Sequence, residues 1–419
     1  MHCQNFSILL LAALSSAALH AQTPEASAPE ALDLGGRLSL QWDQRQPASL
    51  GPLALANALQ DGTATLPADS ASAELELRAR GRRWNASATL QQQAGAGQGT
   101  QGTAWFNELV WHHDAGQWQF SGGKKIVGWD VGYAFRPNDM VQQEQRHTLS
   151  SSTAEGRPVL MVEQFDADSA WSLVAVNPLA DRGERAGKEP ALALRYYQRA
   201  GNADWYGFAR SGIRTGNSLG AALAWVASDA LELHASLRTL AFADSSVAPA
   251  GAALQAASPW QAATVADARQ ALVGLTWTSA SQFSLLLEAW WDGSALSPTQ
   301  WDDWRSRNLA LYALAAAGAP LRAAAGNLAW QADAFSASSN LRQRNLLARL
   351  SWEHEGWQPA LDLLYHPDDA GALLSAALLY QGDRWQLQGG LRWSVGPAAA
   401  VLSQLPTSRQ GYLRSIWAF

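Results

Sequence analysis

Hydrophobic and polar residues alternate with a period of two over much of this chain. The segment 231–238 is a clear case, because one set of alternating positions is apolar and the other is polar. The apolar set is Leu231, Leu233, Ala235 and Leu237, and the polar set is Glu232, His234, Ser236 and Arg238. Successive side chains of a β-strand point to opposite faces of the sheet, so this pattern predicts strands with one apolar and one polar face.

Similar segments recur along the sequence, and we predict 18 strands, with 16 as the alternative count. They are predicted at residues 34–43, 74–80, 83–90, 103–113, 116–125, 157–166, 169–178, 190–199, 203–211, 217–227, 230–240, 267–278, 281–291, 342–353, 357–366, 371–381, 384–395 and 409–419.

The connections between these strands alternate in length. Short turns are predicted at 81–82, 114–116, 167–168, 200–202, 228–229, 279–280, 354–356 and 381–383, and mostly longer loops lie between them. A bacterial outer-membrane barrel has short periplasmic turns at one rim and long extracellular loops at the other, with an even number of strands. A soluble sandwich or propeller has no reason to alternate its loops in this way.

The ends of the apolar faces indicate which face meets lipid. Many strands are about ten residues long, the length that crosses a bilayer when tilted. Tryptophan repeatedly ends the apolar face, at Trp42, Trp84, Trp111, Trp225, Trp277, Trp291 and Trp352. Tryptophan concentrates at membrane interfaces, so we predict an all-β fold: a transmembrane antiparallel up-and-down barrel with its apolar face outward. A soluble barrel would have the opposite polarity.

The last strand carries a second signal. Leu413, Trp417 and Phe419 fall on one face of the segment 409–419, which ends on the aromatic residue. This segment resembles the closing strand of outer-membrane barrels of Gram-negative bacteria. The resemblance implies an outer-membrane location and an assembly signal at Phe419 that the barrel-assembly machinery reads.

Composition agrees with a membrane barrel and excludes other classes. The 419 residues include 21 tryptophans, and the formal net charge of −6 lacks the basic excess of a nucleic-acid-binding protein. After residue 21 no apolar run reaches 18 residues, so helical membrane spans are not predicted. We expect a signal peptide at 1–21, a flexible periplasmic lead at 22–33 and the barrel at 34–419. Cleavage would remove Cys3, the only cysteine, and with it any thiolate metal site.

One connection differs from the Ala-, Ser- and Gly-rich loops. Residues 122–146 read GGKKIVGWDVGYAFRPNDMVQQEQR. The Gly-Lys-Lys start and the residues Trp129, Gly132, Phe135, Pro137 and Asp139 resemble a segment of porin-like and alginate-export-like outer-membrane families. In those families a Gly-(Arg/Lys)-Gln strand leads to Trp-Gly and an Asn-Pro-x-Asp turn. Here Lys125 replaces the Gln, Asp130 replaces the Gly, and the turn begins with Arg136.

We predict that this loop folds back into the barrel and narrows it. Its aromatic side chains would be unstable in water, and Pro137 with the following Asn138-Asp139 favours a turn. The predicted constriction residues are Lys124, Lys125, Trp129, Asp130, Tyr133, Phe135, Arg136 and Asp139. The alternative is that the aromatic residues only cap the barrel rim.

The polar strand faces would then line the lumen. The residues expected there are Arg78, Arg80, Arg83, Arg195, Arg210, Arg238, Glu288, Arg349, Arg392 and Arg414. Basic residues outnumber acidic ones on these faces, and arginine binds carboxylates with two parallel hydrogen bonds, which favours anionic solutes. The alternative is that these charges pair across neighbouring strands and hold the wall together.

These observations predict a passive outer-membrane channel for small polar solutes, including anions. The expected partners are outer-membrane lipid, lipopolysaccharide, the assembly machinery and small solutes. No cofactor, metal or nucleic acid is implied, and the oligomeric state stays open. A structural or surface-binding barrel whose lumen is blocked, with the Ala-rich segment 309–325 as the obstruction, is the second hypothesis. An outer-membrane hydrolase is the third, although there is no Gly-x-Ser-x-Gly motif and no metal-spaced histidine cluster.

Overall fold

The computed structural model describes residues 32–95, 98–142, 154–185, 187–248, 254 and 258–419. The predicted signal peptide, residues 22–31 of the predicted lead and residues 143–146 of the distinctive loop lie outside the described residues.

The described chain forms one antiparallel sheet of 18 strands. The first nine are β1 (Asp33–Pro47), β2 (Ser70–Gly81), β3 (Trp84–Gly95), β4 (Gln98–Ala115), β5 (Trp118–Lys125), β6 (Arg157–Phe165), β7 (Ser169–Val176), β8 (Ala191–Ala200) and β9 (Ala203–Gly212). The other nine are β10 (Gly216–Ser228), β11 (Leu231–Val247), β12 (Gln261–Thr278), β13 (Phe283–Asp292), β14 (Arg344–Trp352), β15 (Trp357–His366), β16 (Gly371–Gln381), β17 (Trp385–Val395) and β18 (Thr407–Ala418).

The sheet closes on itself, because β1 pairs with β18 as well as with β2. Leu40 lies opposite Ser415 in the closing pair. Beyond the last paired residues, Gly36 and Phe419 exchange two backbone hydrogen bonds of 2.9 and 3.0 Å. The predicted barrel class and the strand count of 18 are therefore confirmed.

The alternation of connections is also present. All eight predicted turns occur, within a few residues of their expected positions, and Gly116 in the second turn has a φ of 63° that favours glycine. Two connections at the other rim are shorter than expected. Strands β3 and β4 extend to Gly95 and Gln98, and β9 and β10 are joined by residues 213–215 alone. The added parts of β3 and β4 are rich in glutamine. Their backbones pair, but their side chains do not alternate between apolar and polar, so the pattern did not predict them as strand.

The outer surface of the barrel is apolar and exposed. Leu90 is 50% exposed, Leu391 61% and Leu413 61%, whereas the opposite face of the same strands carries polar groups such as Thr89 and Arg392 that are buried. Exposed tryptophans collect near the short turns, at Trp84, Trp111, Trp118, Trp171, Trp205, Trp225, Trp277, Trp357 and Trp385. An apolar outer band ending in an aromatic girdle is the surface of a barrel that crosses lipid.

Helices occupy the loops at the other rim. They are α1 (Pro52–Leu59), α2 (Pro298–Ala316) and α3 (Leu321–Trp330), with 3-10 helices at Gln331–Ser336 and Val401–Gln404. A capping box begins α2, since Ser297 Oγ accepts from Gln300 N at 3.2 Å and Gln300 Oε1 accepts from Ser297 N at 2.8 Å. No helix among the described residues is long and apolar enough to cross a membrane.

These helices pack together as a cap on the long-loop rim. Trp301 and Trp304 of α2 bury against Phe335 of the first 3-10 helix, and the same cluster includes Leu347 and Leu364 on the inner faces of β14 and β15. The predicted helix-prone segment 309–325 lies within this cap, in α2 and α3. The cap therefore sits over the inner wall at the mouth of β13–β16.

Neighbouring residues on β3 give a direct test of the polarity. Leu90 faces outward near the middle of the strand, and Gln91 faces inward opposite Glu74. An arginine facing lipid near the bilayer midplane costs about 2–4 kcal/mol. We expect Leu90→Arg to destabilise the reconstituted barrel by about this amount, measured by urea unfolding in lipid bilayers. Gln91→Arg is the matched control, and an equal loss in both variants would contradict the assigned faces.

Candidate functional site

The candidate site is built around residues 126–142, the inner loop, which leaves β5 after Lys125. The carboxylate of Asp130 organises its backbone: Oδ1 accepts from Val131 N at 2.8 Å and Oδ2 from Asn138 N at 2.5 Å. Arg136 Nε donates to the Gly132 carbonyl at 2.9 Å. These bonds fold the loop into a compact turn around Asp130.

A wall carboxylate holds the middle of the inner loop. The carboxylate of Glu288, on β13, accepts the backbone N–H groups of Tyr133 and Ala134, both at 2.7 Å. His234 Nε2 on β11 lies 3.0 Å from Glu288 Oε1, and both side chains are fully buried. A buried carboxylate needs hydrogen-bond donors. The burial of Glu288 therefore requires the loop N–H groups, and the position of the loop requires Glu288.

A second anchor lies at the turn that follows Pro137. Asn138 Nδ2 donates to Ser236 Oγ at 2.7 Å, and Ser236 Oγ donates to Asp130 Oδ1 at 2.8 Å. The Asn138 side chain fits where Gly220 has none, because a Cβ there would collide with it. Arg238 Nη1 donates to the Pro137 carbonyl at 2.8 Å. The loop is thus bonded to β10, β11 and β13, far around the wall from β5, where it starts.

Aromatic contacts extend this attachment. Trp129 stacks on Phe208 with ring centroids 6.4 Å apart, and Phe135 stacks on Trp290 at 6.0 Å. Tyr133 meets His234 edge to face at 5.4 Å. The Arg195 guanidinium carbon lies 5.8 Å from the centre of the Trp129 ring. The aromatic side chains therefore pack against inner-wall residues.

The wall beneath the inner loop is apolar, which sequence analysis missed. Val127, Trp129, Met140 and Val141 of the loop form one buried cluster with the wall. Its wall members are Val159, Met161, Val174, Val176, Ala193, Phe208 and Ala222. These residues lie on the face expected to be polar, and the only signal in the sequence was that β6 and β7 are apolar on both faces.

Burial changes the acidity of two loop groups. Desolvation raises the pKa of Asp130 above its ordinary value, and the hydrogen bonds from Asn138 N and Ser236 offset only part of this. Burial also raises the pKa of the Tyr133 phenol, and the nearby Glu232 charge adds to the effect. Tyr133 is therefore neutral at physiological pH, and Asp130 takes up a proton at a higher pH than an aspartate in water does.

The two lysines predicted in the constriction lie on different faces. Lys125 points inward, with Nζ 3.2 Å from Ser121 Oγ and 3.7 Å from Glu163 Oε2. Lys124 differs from the expectation: it is paired in register with Leu109, an exposed residue of the outer face, and its Nζ bonds to Glu155. Both lysines lie within β5, which ends at Lys125 as predicted, so the alternation of the strand turns Lys124 outward. Asp139 is buried in the loop at 6% exposure.

The residues predicted to line the lumen divide into groups. Arg195, Arg238 and Glu288 contact the inner loop, as described above. Arg210 is buried and bonds to Glu189 Oε1 at 3.1 Å. Arg78 bonds to Glu76 at 2.7 Å, and Arg80 is exposed near the short turn. Arg83 was placed wrongly, because it lies in the turn between β2 and β3 and not on a strand. The β2–β3 turn begins one residue later than expected.

The remaining three arginines lie apart from the inner loop. Arg349 on β14 pairs with Asp362 on β15 at 3.3 Å. Arg392 Nε on β17 donates to Ser375 Oγ at 3.1 Å, and Arg414 Nε on β18 donates to Ser39 Oγ at 2.8 Å. Asp362 is the carboxylate on the inner face of β14–β18 as the structure describes these strands, and the charges of Glu74 on β2 and Asp43 on β1 also act on Arg414. This basic wall lies on strands that the inner loop does not cover.

A buried carboxylate that the sequence did not reveal ties two rim connections together. Glu189 accepts hydrogen bonds from Arg214 N at 2.6 Å and Thr215 N at 3.1 Å, besides its bond with Arg210. Burial acts to raise its pKa, but these bonds and the Thr215 hydroxyl outweigh burial, and the pKa is lowered. Within the described residues, no group of three or more His, Cys, Asp or Glu side chains is placed to hold a metal.

Comparisons with known proteins bear on the fold. No family model matches the sequence, and no curated protein matches it. The structure of OccAB1 from Acinetobacter baumannii aligns over 93% of this chain and 96% of its own, with a TM-score of 0.52 at 8% identity. OccK11 (OpdR) from Pseudomonas aeruginosa gives the same values. A triple mutant of the Rhodopseudomonas blastica porin covers 93% of this chain and 100% of its own, with a TM-score of 0.43 at 11% identity.

The fold is that of a porin-like outer-membrane barrel. At such low identity the likeness to the Occ structures concerns the backbone alone. The predicted resemblance to porin-like barrels is confirmed. The contacts of the inner loop described above are observations on this chain and do not come from the comparison.

Removal of Glu288 tests the loop attachment. In Glu288→Ala the N–H groups of Tyr133 and Ala134 lose their acceptor, and a hydrogen bond to a charged group contributes about 1.5–3 kcal/mol. We expect amide exchange in residues 126–142 to accelerate at least about tenfold, measured by hydrogen–deuterium exchange mass spectrometry. Asp362→Ala is the control, since it removes a buried wall carboxylate whose partner is Arg349. Equal acceleration in both variants would show that Glu288 is no specific anchor.

The raised pKa of Asp130 predicts a pH dependence. Because the pKa lies above 3.8 in the folded porin-like barrel, the folded state binds the proton more tightly than the unfolded chain. The stabilising effect of protonation is present at low pH and is lost as the pH rises through the folded pKa. Asp130→Asn removes this titration. We expect the thermal midpoint of the wild type, relative to that of Asp130→Asn, to rise as the pH is lowered from about 7 to about 4. A difference that does not change with pH would contradict the shift.

Proposed function

We propose that the protein is a passive outer-membrane channel for small polar solutes. The observation that carries the proposal is the inner loop, which is bonded across the inner wall through Glu288, Ser236 and Arg238. Such a loop narrows a barrel without filling it, because the loop contacts the wall between β6 and β13, and polar inner residues of β14–β18 such as Arg349 and Arg392 lie beside it. The backbone likeness to OccAB1 and OccK11 supports a porin-like channel and a location in the outer membrane of a Gram-negative bacterium.

We propose further that the passage favours anions. Arg349, Arg392 and Arg414 lie on the uncovered part of the wall, where Asp362 is the carboxylate of β14–β18 and the charges of Asp43 and Glu74 on the adjoining β1 and β2 act on Arg414. A lumen with an excess of fixed positive charge concentrates anions and repels cations. The constriction would lie between these arginines and the loop residues Trp129, Asp130, Tyr133, Phe135, Arg136 and Asp139.

We also propose that Phe419 is read during assembly. Its ring packs on Trp417 with centroids 5.0 Å apart, and its backbone completes the closing pair with Gly36. The residue therefore belongs to the seam between β1 and β18 that closes the sheet, which supports a role in directing the closing step.

Conductance measurements test the channel and its selectivity together. Purified protein in a planar bilayer under a KCl gradient is expected to give discrete current steps with a reversal potential of the anion-selective sign. In Arg349→Gln/Arg392→Gln/Arg414→Gln we expect the anion-to-cation permeability ratio to fall at least about twofold, because the lumen loses three positive charges. Glu288→Ala is expected to raise the step size, since the inner loop loses an anchor.

The matched control is Arg344→Gln/Arg409→Gln, which removes arginines from the outer face of the same part of the wall. Its selectivity should equal that of the wild type. An unchanged ratio in the triple variant would overturn the anion proposal, and an unchanged step size in Glu288→Ala would overturn the constriction.

One observation favours the blocked barrel as a second candidate. The cap packs Trp301, Trp304 and Phe335 onto the inner faces of β13–β16, where they reach Trp290 and Leu347. If the cap closes the mouth, the wild-type protein stays silent in the bilayer, and deletion of residues 298–336 restores current steps. Current steps in the wild type rule this candidate out.

A further inference from the structure

The outer face of the barrel carries basic residues at one end only. In the described strands four lysines and arginines share a face with exposed apolar residues: Lys124, Arg269, Arg344 and Arg409. Each lies towards the rim of the cap and the long loops, and none lies near the short turns. The other basic residues of the described strands point inward. Such an uneven distribution has no use in closing the barrel, since outward side chains do not contact the inner wall.

Two of the four residues flank one tryptophan. Trp291 on β13 lies opposite Ala271 on β12 and opposite Arg344 on β14. Arg269 stands two residues above Ala271 on the same face, which makes it the diagonal neighbour of Trp291. Directly opposed residues have Cβ atoms about 5 Å apart and diagonal ones about 7–8 Å, so two long side chains border the tryptophan ring from both sides.

These side chains are accessible and only partly neutralised. The side chain of Arg344 is 73% exposed, and its Nη1 lies 3.5 Å from Asp368 Oδ1. Arg269 is exposed and makes no ion pair within the described part of the chain. Trp291 is 39% exposed. Asp368, whose side chain is 9% exposed, is the ion-pair partner of Arg344, and Asp267 is exposed on β12 two residues before Arg269, so both guanidinium groups are accessible from outside the barrel.

The surface below the cluster is apolar. Leu237 is 60% exposed, Val273 59% and Leu346 43%, and all three lie on the same outer face of β11, β12 and β14. A ligand that fits both parts has acyl chains beside a phosphorylated, ring-containing headgroup. Arginine binds phosphate through two parallel hydrogen bonds, and tryptophan presents a flat face to a sugar ring.

We propose that Arg269, Trp291 and Arg344 bind the phosphorylated glucosamine headgroup of the outer-leaflet glycolipid, lipopolysaccharide. The inference rests on the outer-membrane location but not on channel activity, so a silent barrel would leave it intact. The site orients the barrel as well, because this glycolipid occupies only the outer leaflet, on the side of the long loops.

Lipid A binding to the full-length purified protein tests the proposal. A basic residue near an anionic membrane surface contributes about fivefold in affinity, so the loss of two should weaken binding about 25-fold. We expect this increase in Kd for Arg269→Gln/Arg344→Gln, measured by native mass spectrometry in detergent. Arg269→Lys/Arg344→Lys keeps the charge and should lose less than about fivefold. Trp291→Ala should weaken binding to a smaller extent.

The matched control is Arg82→Gln/Arg384→Gln, which removes two exposed arginines from short turns. It should bind lipid A as the wild type does. Heat-modifiable mobility on gels verifies that each variant is folded. The proposal is overturned if the Arg269/Arg344 double variant stays within about twofold of the wild type, or if the control pair loses as much. It is equally overturned if dephosphorylated lipid A binds as tightly, or if millimolar inorganic phosphate displaces lipid A.

Discussion

The closing hydrogen bonds between β1 and β18 remove the two free edges that an 18-stranded sheet would otherwise expose. In a hydrocarbon environment each unpaired N–H or C=O group costs several kcal/mol, so closure is what allows the apolar outer surface to exist. The other features follow from it. Once the wall is closed, outward residues such as Leu391 and Leu413 can be apolar without a protein partner, and inward residues must satisfy their polar groups within the lumen.

The inner loop meets this second requirement on one side of the barrel. Inward groups there either pack against loop side chains, as Phe208 does with Trp129, or bond to loop atoms, as Glu288 does with two backbone N–H groups. The inner loop thus supplies partners for these inward groups. It therefore behaves as part of the wall, and its position is set by buried charges that would be costly to leave without partners.

On the other side the wall satisfies itself. Arg349 pairs with Asp362 across neighbouring strands, and Arg414 bonds to Ser39 across the closing seam between β18 and β1. These two arginines therefore bond neighbouring strands of the wall to one another. The cap lies above this region and joins α1, α2 and α3 through a core of Ala56, Leu311 and Leu328.

The sequence by itself determined the barrel, its strand count and the direction of its faces. These properties come from a period of two that repeats in most strands. Each of those strands shows it independently, so an error at Arg83 or Lys124 changes one residue and not the fold. The loop 122–146 was also recognisable as unusual, because aromatic residues in a loop need a surface to pack on. Tertiary structure alone decided which surface that is. Glu288 and Tyr133 are 155 positions apart in the sequence, and Asn138 fits the space left by Gly220. Both contacts depend on how the wall curves and not on the local alternation of apolar and polar residues. The apolar inner patch of β6–β10 was not evident from the sequence for the same reason. A strand that is covered on both faces loses the alternation of apolar and polar residues from which the direction of its side chains is predicted.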